Sequence, residues 1–557
     1  MDLTSRIANL SPAKRALLEL AINAQVSKDE SNTGAVIPHQ QQRTTAPLSF
    51  AQQRLWFLDQ LHPGKADYNL PYLLHIEGPL NIPALCDTLN AIVARHEALR
   101  TTFEKREDEG VQRIAPELII EVPIVDLRDH AIRNDELQRM IDGDAALPFD
   151  LATGPLLRAK LFRLAPGHHV LQITMHHIIS DGWSIAVLNR ELGTLYNDFC
   201  RGQTPSLPQP QVQYLDYAVW QRQQDAALLQ QLAYWEQQLN GAPQILELPV
   251  DKPRPAIQSF RGARRHIDLP PELCEALKTV AQRENATLFM VMLAAYQLLL
   301  HRYCGQDDIL VGIPIAGRTQ PELEGLIGFF VNSLVIRCRF SPELSFRQLL
   351  VQVRDTTIGV FSHQELPFEK LVEALTPQRD MSRNPIFQVM FSLENNDPVL
   401  PKMEGLDVNS QDIGIAKAKF DLTLFVTERT GSLRATFNYA TDLFLDPSVE
   451  RMAGHYLTLL KAVVNEPEQS IARVRLLSDE EQAQLRRWNA TATDFPHTTG
   501  MQSLFEAQVR GIPSAIAVSD NQSWISYDAL NRRANQLARH ISILGVARGD
   551  RVGLCLE

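Results

Sequence analysis

A helix-length apolar run followed closely by a strand-length one constrains the fold of this chain more than any other feature. Residues 287–303, TLFMVMLAAYQLLLHRY, are apolar on nearly every side, which predicts a buried helix. Residues 307–315, DDILVGIPI, are an apolar run of strand length. Helical and strand patterns alternate from Leu48 to roughly Leu476. The chain is therefore predicted to be α/β (α+β), with too much material for one simple core.

Length, charge and cysteine spacing narrow the class of protein. The 557 residues predict about three or four domains, and a hydrophobic fraction of 45% suffices for large cores. A net charge of -11 gives nucleic-acid binding no electrostatic support. None of the six cysteines forms a C-x-x-C pair, so neither a disulfide framework nor a zinc ribbon is expected. No membrane span or signal peptide is predicted, which favours a cytoplasmic location.

The two ends of the chain differ from its middle. Residues 1–46 are predicted to hold a helix beginning at Ser11-Pro12 and a flexible polar linker, either a frayed tail or a docking element. Residues 477–500 have the composition of a short helix and an extended linker. A new unit is expected at 501–557, and it is cut off at its end.

The stretch TMHHIISDGWS, residues 174–184, places two histidines at the end of a predicted strand. Adjacent strand residues face opposite ways, so His176 and His177 are not expected to bind one metal ion. The next residues repeat apolar side chains at helical spacing, and Ser180 or Asp181 is suited to cap that helix. The motif is thus predicted on a strand-to-helix turn, where Gly182 would permit positive φ or close approach.

This turn allows a division of labour between the two histidines. One imidazole would face a cavity and exchange a proton near neutral pH, while the other packs inward as a hydrogen-bonded core residue. Asp181 must be paired if it is buried. A lone histidine is more often a core residue than a catalytic one, so the functional interpretation depends on the accompanying motifs.

Those motifs resemble the condensation domains of nonribosomal peptide synthetases, members of the chloramphenicol-acetyltransferase-like superfamily. Seven segments match in order: SFAQQRLWFL (49–58), RHEALRTTF (95–103), MHHIISDGWS (175–184), YLDYAVW (214–220), IGFFVNSLVIR (327–337), HQELPFE (363–369) and RDMSRNPIFQVMF (379–391). Residues 503–509, 524–541 and 545–557 resemble the opening of an adenylation domain. Its later Gly-rich phosphate loop is missing, and no carrier-protein serine motif is present.

The resemblance implies two acetyltransferase-like lobes, residues 47–215 and 216–476, that form a V-shaped pseudo-dimer with a tunnel between them. An upstream carrier protein, expected in trans, would present an acyl or peptidyl thioester at one mouth. A downstream carrier would present an aminoacyl thioester at the other. Both substrates would hang on phosphopantetheine arms, with no permanently bound cofactor or metal. The rest of the adenylation domain is a further expected partner; nucleic acid and membrane are not.

The family pattern also assigns roles to single residues. His177 would be the catalytic histidine and His176 the inward, structural one. Asp181 would be structural and salt-bridged to Arg95, and Gly182 would lie beside the reacting centre, where its amide is a candidate oxyanion donor. Three polar residues are expected to line the tunnel: Ser184, Asn332 and Ser333.

Several related functions remain open beside amide formation from an L-configured donor. A starter condensation domain would N-acylate the first amino acid with a fatty acyl group. A catalytically silent platform would recruit another enzyme, although such platforms usually degrade the histidine motif, which is complete here. An epimerase usually follows a carrier protein, whereas this domain precedes an adenylation start. A heterocyclising variant would replace the histidines by aspartates and does not fit.

Overall fold

A computed structural model describes residues 37–61, 63–128, 133–375, 380–394, 399–411, 417–429, 431–494, 500–520 and 522–555. The helix expected from Ser11-Pro12 lies outside the described residues. The chain divides into two compact units between Ser478 and Asp479, and each is described by itself.

The first unit contains eleven α-helices and fourteen strands among its described residues. Its first half holds β1 (Thr45–Pro47), α1 (Phe50–Leu61), β2 (Asn69–Glu77), α2 (Ile82–Arg95), β3 (Thr101–Arg106), β4 (Glu109–Ile114), β5 (Ile124–Asp126), α3 (Arg133–Ala146), β6 (Leu157–Ala165), β7 (His168–His176), α4 (Gly182–Cys200), α5 (Tyr214–Arg222) and α6 (Asp225–Leu239). Its second half holds β8 (Gly262–Leu269), α7 (Pro271–Arg283), α8 (Leu288–Cys304), β9 (Asp308–Ile315), β10 (Asn332–Arg339), α9 (Phe346–Ser362), α10 (Phe368–Leu375), β11 (Val389–Glu394), β12 (Asp407–Gln411), β13 (Leu422–Arg429), β14 (Ser432–Ala440) and α11 (Asp446–Asn465).

Two separate sheets organise this unit into two lobes. The first-lobe sheet has the order β12-β2-β7-β6-β5, and the second-lobe sheet has the order β10-β9-β11-β13-β14-β8. Each sheet has its own hydrophobic core, one built with α2 and α4 and the other around α8. The predicted mixed α/β class with two lobes is confirmed.

The buried helix and strand predicted from residues 287–315 are both present. Thr287 caps α8 by accepting a hydrogen bond from the Met290 amide at 3.3 Å, and Gly305 ends the helix in the left-handed conformation with φ 69°. All residues from Met290 to Leu300 are buried, which explains why the helix lacks a polar face. β9 pairs antiparallel with β10.

One segment crosses between the lobes and corrects the expected lobe boundary. β12 belongs by sequence order to the predicted second lobe, 216–476, yet it pairs antiparallel with β2, from Asp407 opposite Glu77 to Gln411 opposite Leu73. A Cβ at Gly193 would lie 2.7 Å from the Lys402 amide nitrogen, so a glycine in α4 lets this segment pass. Strand pairing is a tertiary property, so sequence order did not reveal it.

The expected flexible linker is wrong for residues 37–46. Ile37 is buried in a cluster with Tyr214 and Phe330, and β1 pairs antiparallel with β4. Arg43 forms an ion pair with Glu97 at 2.7 Å. This segment of mainly polar composition is thus held by two buried apolar residues, Ile37 and Ala46, and by specific charges.

The second unit contains α12 (Asp479–Trp488), α13 (Met501–Gly511), β15 (Ile516–Ser519), β16 (Trp524–Ser526) and α14 (Tyr527–Ile543). β15 and β16 form an antiparallel pair. The short helix expected within 477–500 is α12. No helix in the described parts of the chain has the length and apolarity needed to cross a bilayer.

Candidate active site

His177 follows directly after β7 and differs from every residue around it in exposure. Residues 169–176 and 178–181 are all buried, whereas His177 keeps part of its surface accessible. Its backbone amide donates to the Tyr68 carbonyl at 2.8 Å, and its ring makes an edge contact with Phe329, with centroids 4.8 Å apart. His177 is therefore the one side chain at this end of β7 that keeps accessible surface.

The hydrogen bond to Ser180 fixes which ring nitrogen of His177 carries the proton. Nδ1 lies 2.8 Å from the Ser180 carbonyl oxygen, which can only accept, so Nδ1 is the donor. Burial lowers the pKa of His177 well below its usual value, and the positive charge of Lys419 lowers it further. The ring is neutral at physiological pH, with a lone pair on Nε2 that can accept a proton.

His176 has the opposite environment, as strand alternation predicts. It is only 4% exposed, and its Nδ1 accepts from the Ile178 amide at 3.2 Å. Phe149 packs edge-on against the ring, and burial lowers the pKa of His176 to about 3. The two imidazoles have different surroundings, and His176 is the inward one.

Asp181 joins the two lobes, but through a different arginine from the one expected. Its carboxylate accepts from Arg318 Nη1 at 2.9 Å and Nη2 at 3.1 Å, and from the Phe330 amide at 3.0 Å. It also caps α4 by accepting from the Ser184 amide at 2.9 Å. The predicted Asp181–Arg95 salt bridge is wrong, because Arg318 from the second lobe occupies that position.

Arg95 instead belongs to a neighbouring charge cluster. Its Nε donates to Glu191 at 2.8 Å, and His96 Nε2 lies 2.8 Å from the other carboxylate oxygen. Burial would raise the pKa of Glu191, but His96 and Arg95 together lower it. The cluster joins α2 to α4 and braces the helix that begins at Gly182. A glutamate on the apolar face of a helix, beside Leu188 and Leu192, was a signal that sequence reasoning passed over.

Ser184 does not line a tunnel, contrary to expectation. It is fully buried, and its Oγ donates to Asp181 at 2.8 Å and accepts from the Gly328 amide at 3.1 Å. The hydroxyl is thus part of the lobe-joining network around Arg318. The first turn of α4 turns this side chain inward, toward the second lobe.

Gly182 is exposed, and the structure shows neither the positive φ nor the close approach that was expected to require glycine there. Its φ lies outside the left-handed region, and a Cβ would meet nothing within 4 Å. Neither positive φ nor close protein packing therefore requires glycine. The space beside the first residue of α4 is open, next to the histidine turn.

Asn332 and Ser333 begin β10 and are both half-buried. The Asn332 amide donates to the carbonyls of Gln364 at 3.1 Å and Leu366 at 2.8 Å, and its oxygen accepts from the Phe368 amide at 3.0 Å. Asn332 therefore fastens the start of α10, and this set of contacts makes it structural. A role for Ser333 in lining a tunnel stays a prediction.

Tyr68 and Lys419 lie at the same site and were not expected. Lys419 Nζ lies 4.9 Å from the centroid of the Tyr68 ring, and that ring lies 6.3 Å from the ring of His176. The weak signal in the sequence was a lysine in AKFDL, directly before a buried strand. Arg318 gave a similar signal, since it follows the apolar strand β9.

Three side chains here combine deep placement with residual accessibility. Burial is the largest cause of the pKa shifts of His177, Tyr68 and Lys419, yet each retains accessible surface. All three groups are therefore largely desolvated without being fully buried. The arrangement offers a proton-accepting imidazole, an aromatic wall and a cation.

Comparison with known proteins places this arrangement in a family. A family model described as Condensation domain matches residues 42–486, and one described as AMP-binding enzyme matches residues 505–557. A linear gramicidin synthase polypeptide of Brevibacillus parabrevis is 44% identical over 98% of this chain and 11% of that protein. Phosphinothricin tripeptide synthetase PhsC of Streptomyces viridochromogenes is 39% identical over 100% of this chain and 52% of that protein. The chain thus spans about a tenth of the first relative and half of the second.

Solved structures agree with the fold. A four-domain nonribosomal peptide synthetase bound to AMP and glycine superimposes with a TM-score of 0.77 at 23% identity, covering 94% of this chain and 40% of that one. The complex of the X-domain and OxyB from teicoplanin biosynthesis gives a TM-score of 0.73 at 27% identity, covering 80% and 98%. From its two lobes, its histidine turn and these matches, the chain belongs to the condensation-domain family of nonribosomal peptide synthetases, followed in sequence by the start of an AMP-binding domain.

Proposed function

We propose that this site forms an amide bond between two thioester-bound substrates. A donor carrier protein presents an acyl or peptidyl thioester, and an acceptor carrier presents an aminoacyl thioester, each on a phosphopantetheine arm. The remainder of the adenylation domain would load the acceptor carrier. The donor is taken to be L-configured, because the motifs SFAQQRLWFLDQL (49–61) and SDGWS (180–184) resemble those of condensation domains with an L-configured donor.

The observation that carries the proposal is the state of His177. A neutral imidazole whose Nδ1 proton is held by the Ser180 carbonyl has only Nε2 left to act on a substrate. The acceptor nitrogen attacks the thioester carbon, a C–N bond forms, and the C–S bond breaks. Nε2 takes the proton released from nitrogen and passes it to the leaving sulfur, so an amide and a thiol are produced with no net proton change.

Two contributions to the rate are expected. General-base help of this kind is typically worth about 10²–10⁴-fold. Holding both tethered substrates together supplies roughly 7–11 kcal/mol, which does not depend on His177. The open space beside Gly182 leaves room for the reacting carbonyl, and the Gly182 amide is a candidate donor to its oxygen.

A second candidate function is a recruitment platform without catalysis. The similarity to an X-domain solved in complex with OxyB favours it, since that likeness extends over 80% of this chain. The complete histidine turn favours catalysis instead. A starter function with a fatty acyl donor is distinguished only by the donor it accepts.

Mass spectrometry of reconstituted reactions tests these alternatives. The chain is mixed with donor carriers loaded with L-, D- or fatty-acyl groups and with an aminoacyl acceptor carrier. We expect amide product with the L-donor, and a loss of about 10²–10⁴-fold in His177→Ala. His168→Ala, at the far end of β7, is the matched control and should react normally. Amide product from none of the donors, or equal rates for His177→Ala and the wild type, would overturn the proposal.

A further inference from the structure

Lys419 reaches the histidine turn from the other lobe. It lies just before β13 of the second lobe, and its Nζ rests over the ring of Tyr68, which precedes β2 of the first lobe. The Tyr68 carbonyl accepts the His177 amide proton at 2.8 Å. Tyr68 therefore carries the cation on its ring, while its carbonyl holds the backbone of the catalytic histidine.

Lys417, a second lysine of the same segment, forms an ordinary ion pair between the lobes. Lys417 Nζ forms an ion pair with Asp67 at 3.7 Å and also donates to the Ala66 carbonyl. Among the described residues, no ion pair or hydrogen bond engages Lys419 Nζ; the ring of Tyr68 is its contact. Lys417 thus joins the two lobes by an ion pair, whereas the ammonium group of Lys419 contacts only the ring of Tyr68 among the described residues.

We propose that Lys419 is a positioning residue of the condensation site, whose ammonium group beside Tyr68 disfavours a second positive charge nearby, both on the acceptor amine and on His177. The inference rests on the proposed function, since it concerns an amine acceptor. It also defines the substrate class, because such a site selects an uncharged amine over a cation.

The chemistry requires both effects. An ammonium nitrogen has no lone pair, so the acceptor must lose a proton before its nitrogen can form the C–N bond. A cation beside the bound amine makes the ammonium form less stable relative to the free amine. A neutral His177 is then ready to take the second proton at Nε2 and deliver it to the leaving sulfur.

Cations outnumber carboxylates among the charged groups that act on Lys419 and His177. The Ser180 carbonyl raises the pKa of His177, whereas Lys419 and His176 lower it. Lys419 faces three other charged groups: Arg54 of α1, Lys417 and Asp67. Burial is the main cause that lowers the pKa of Lys419 to about 7; Arg54 and Lys417 act in the same direction, and Asp67 opposes them. Lys419 is accordingly charged below pH 7 and progressively neutral above it, so its influence is confined to the acid side.

Single-turnover rates from pH 5.5 to 9, with donor and acceptor carriers loaded, test the inference. For Lys419→Met we expect a rate roughly tenfold below the wild type at pH 6, equivalent to about one pKa unit, and convergence with the wild type above pH 8. Lys419→Arg keeps a cation and should retain the wild-type acid limb. Lys278→Met, which removes a lysine from an ion pair with Glu428 of the second lobe, is the control and should leave that limb unmoved. Lys419→Gln replaces Lys419→Met should the latter fail to fold.

A second readout needs no turnover. Diethyl pyrocarbonate modifies neutral imidazole, so its rate at His177, followed by mass spectrometry against pH, reports the pKa of that ring. Lys419→Met should raise this apparent pKa by about one unit, and Lys419→Arg should not. A Lys419→Met profile that coincides with the wild type in both measurements overturns the inference while leaving amide formation intact. Failure of the wild type to form amide overturns the proposed function, and the modification experiment still decides the effect of Lys419 on His177.

Discussion

The carboxylate of Asp181 and the guanidinium of Arg318 form a doubly hydrogen-bonded pair across the lobes, with both side chains at most 1% exposed. Asp181 lies four residues after His177, and its carboxylate also caps the first turn of α4. The main role of this ion pair is structural, because it connects the second lobe to the turn that carries the histidines.

Asp181→Asn is expected to destabilise the condensation unit by about 3–5 kcal/mol, because it leaves Arg318 as an uncompensated buried charge. Urea unfolding of the full chain measures the loss. The control is Asp268→Asn, which removes a partner of Arg434 from a largely exposed pair and should cost below about 1 kcal/mol. Similar losses for the two variants would contradict a structural role specific to the buried pair.

Arg95 and Glu191 are expected to be energetically coupled, whereas Arg95 and Asp181 are not. Double-mutant cycles with Arg95→Met, Glu191→Gln and Asp181→Asn measure this. The first pair shares a hydrogen bond of 2.8 Å, so a coupling of about 1–3 kcal/mol is expected. The second pair should be additive within about 0.5 kcal/mol. The opposite pattern would restore the Arg95–Asp181 pairing that the sequence suggested.

These two pairs show where sequence reasoning succeeds and where it stops. Periodicity predicted α8, β9 and the strand-to-helix turn, because such patterns follow from which side chains each element must bury. The partner of Asp181 lies 137 residues away and leaves no periodic trace. Motif resemblance located the turn and the family, but it could not assign the arginine to its carboxylate. The same limit applies to β12, which lies in the predicted second-lobe range but pairs with β2 of the first lobe, since strand pairing joins distant residues.

His176 is expected to make stability depend on pH. Its pKa is about 3 in the folded protein, against 6.5 ordinarily. Between these values the unfolded chain binds a proton that the folded chain excludes, so stability falls as pH drops below 6.5, by about 2 kcal/mol at pH 5. Above pH 6.5 both forms are neutral and this contribution vanishes.

Urea unfolding of the wild type and His176→Asn at several values from pH 5 to 7.5 checks the sign and size of this effect. Asparagine offers an oxygen near the position of Nδ1 to accept the Ile178 amide, but it does not titrate. The difference between the two chains should therefore change with pH in the acid range and stay constant above pH 6.5. A difference that is the same at every pH would show that His176 is not excluded from protonation.

Gly182→Ala separates folding from turnover at the start of α4. A Cβ there meets nothing within 4 Å, and φ lies outside the left-handed region, so the added methyl costs no packing or backbone strain. Alanine is the better helix former, which gives equal or higher stability, by up to about 1 kcal/mol. If the open space is where the thioester carbonyl binds, the methyl group occupies it, and the condensation rate should fall at least tenfold while the melting temperature holds or rises.

Gly143→Ala, also a helical glycine with nothing within 4 Å, is the control and should leave the rate unchanged. Normal turnover by Gly182→Ala would place the reacting carbonyl elsewhere, because a substrate pressed against the Gly182 amide could not tolerate the extra carbon.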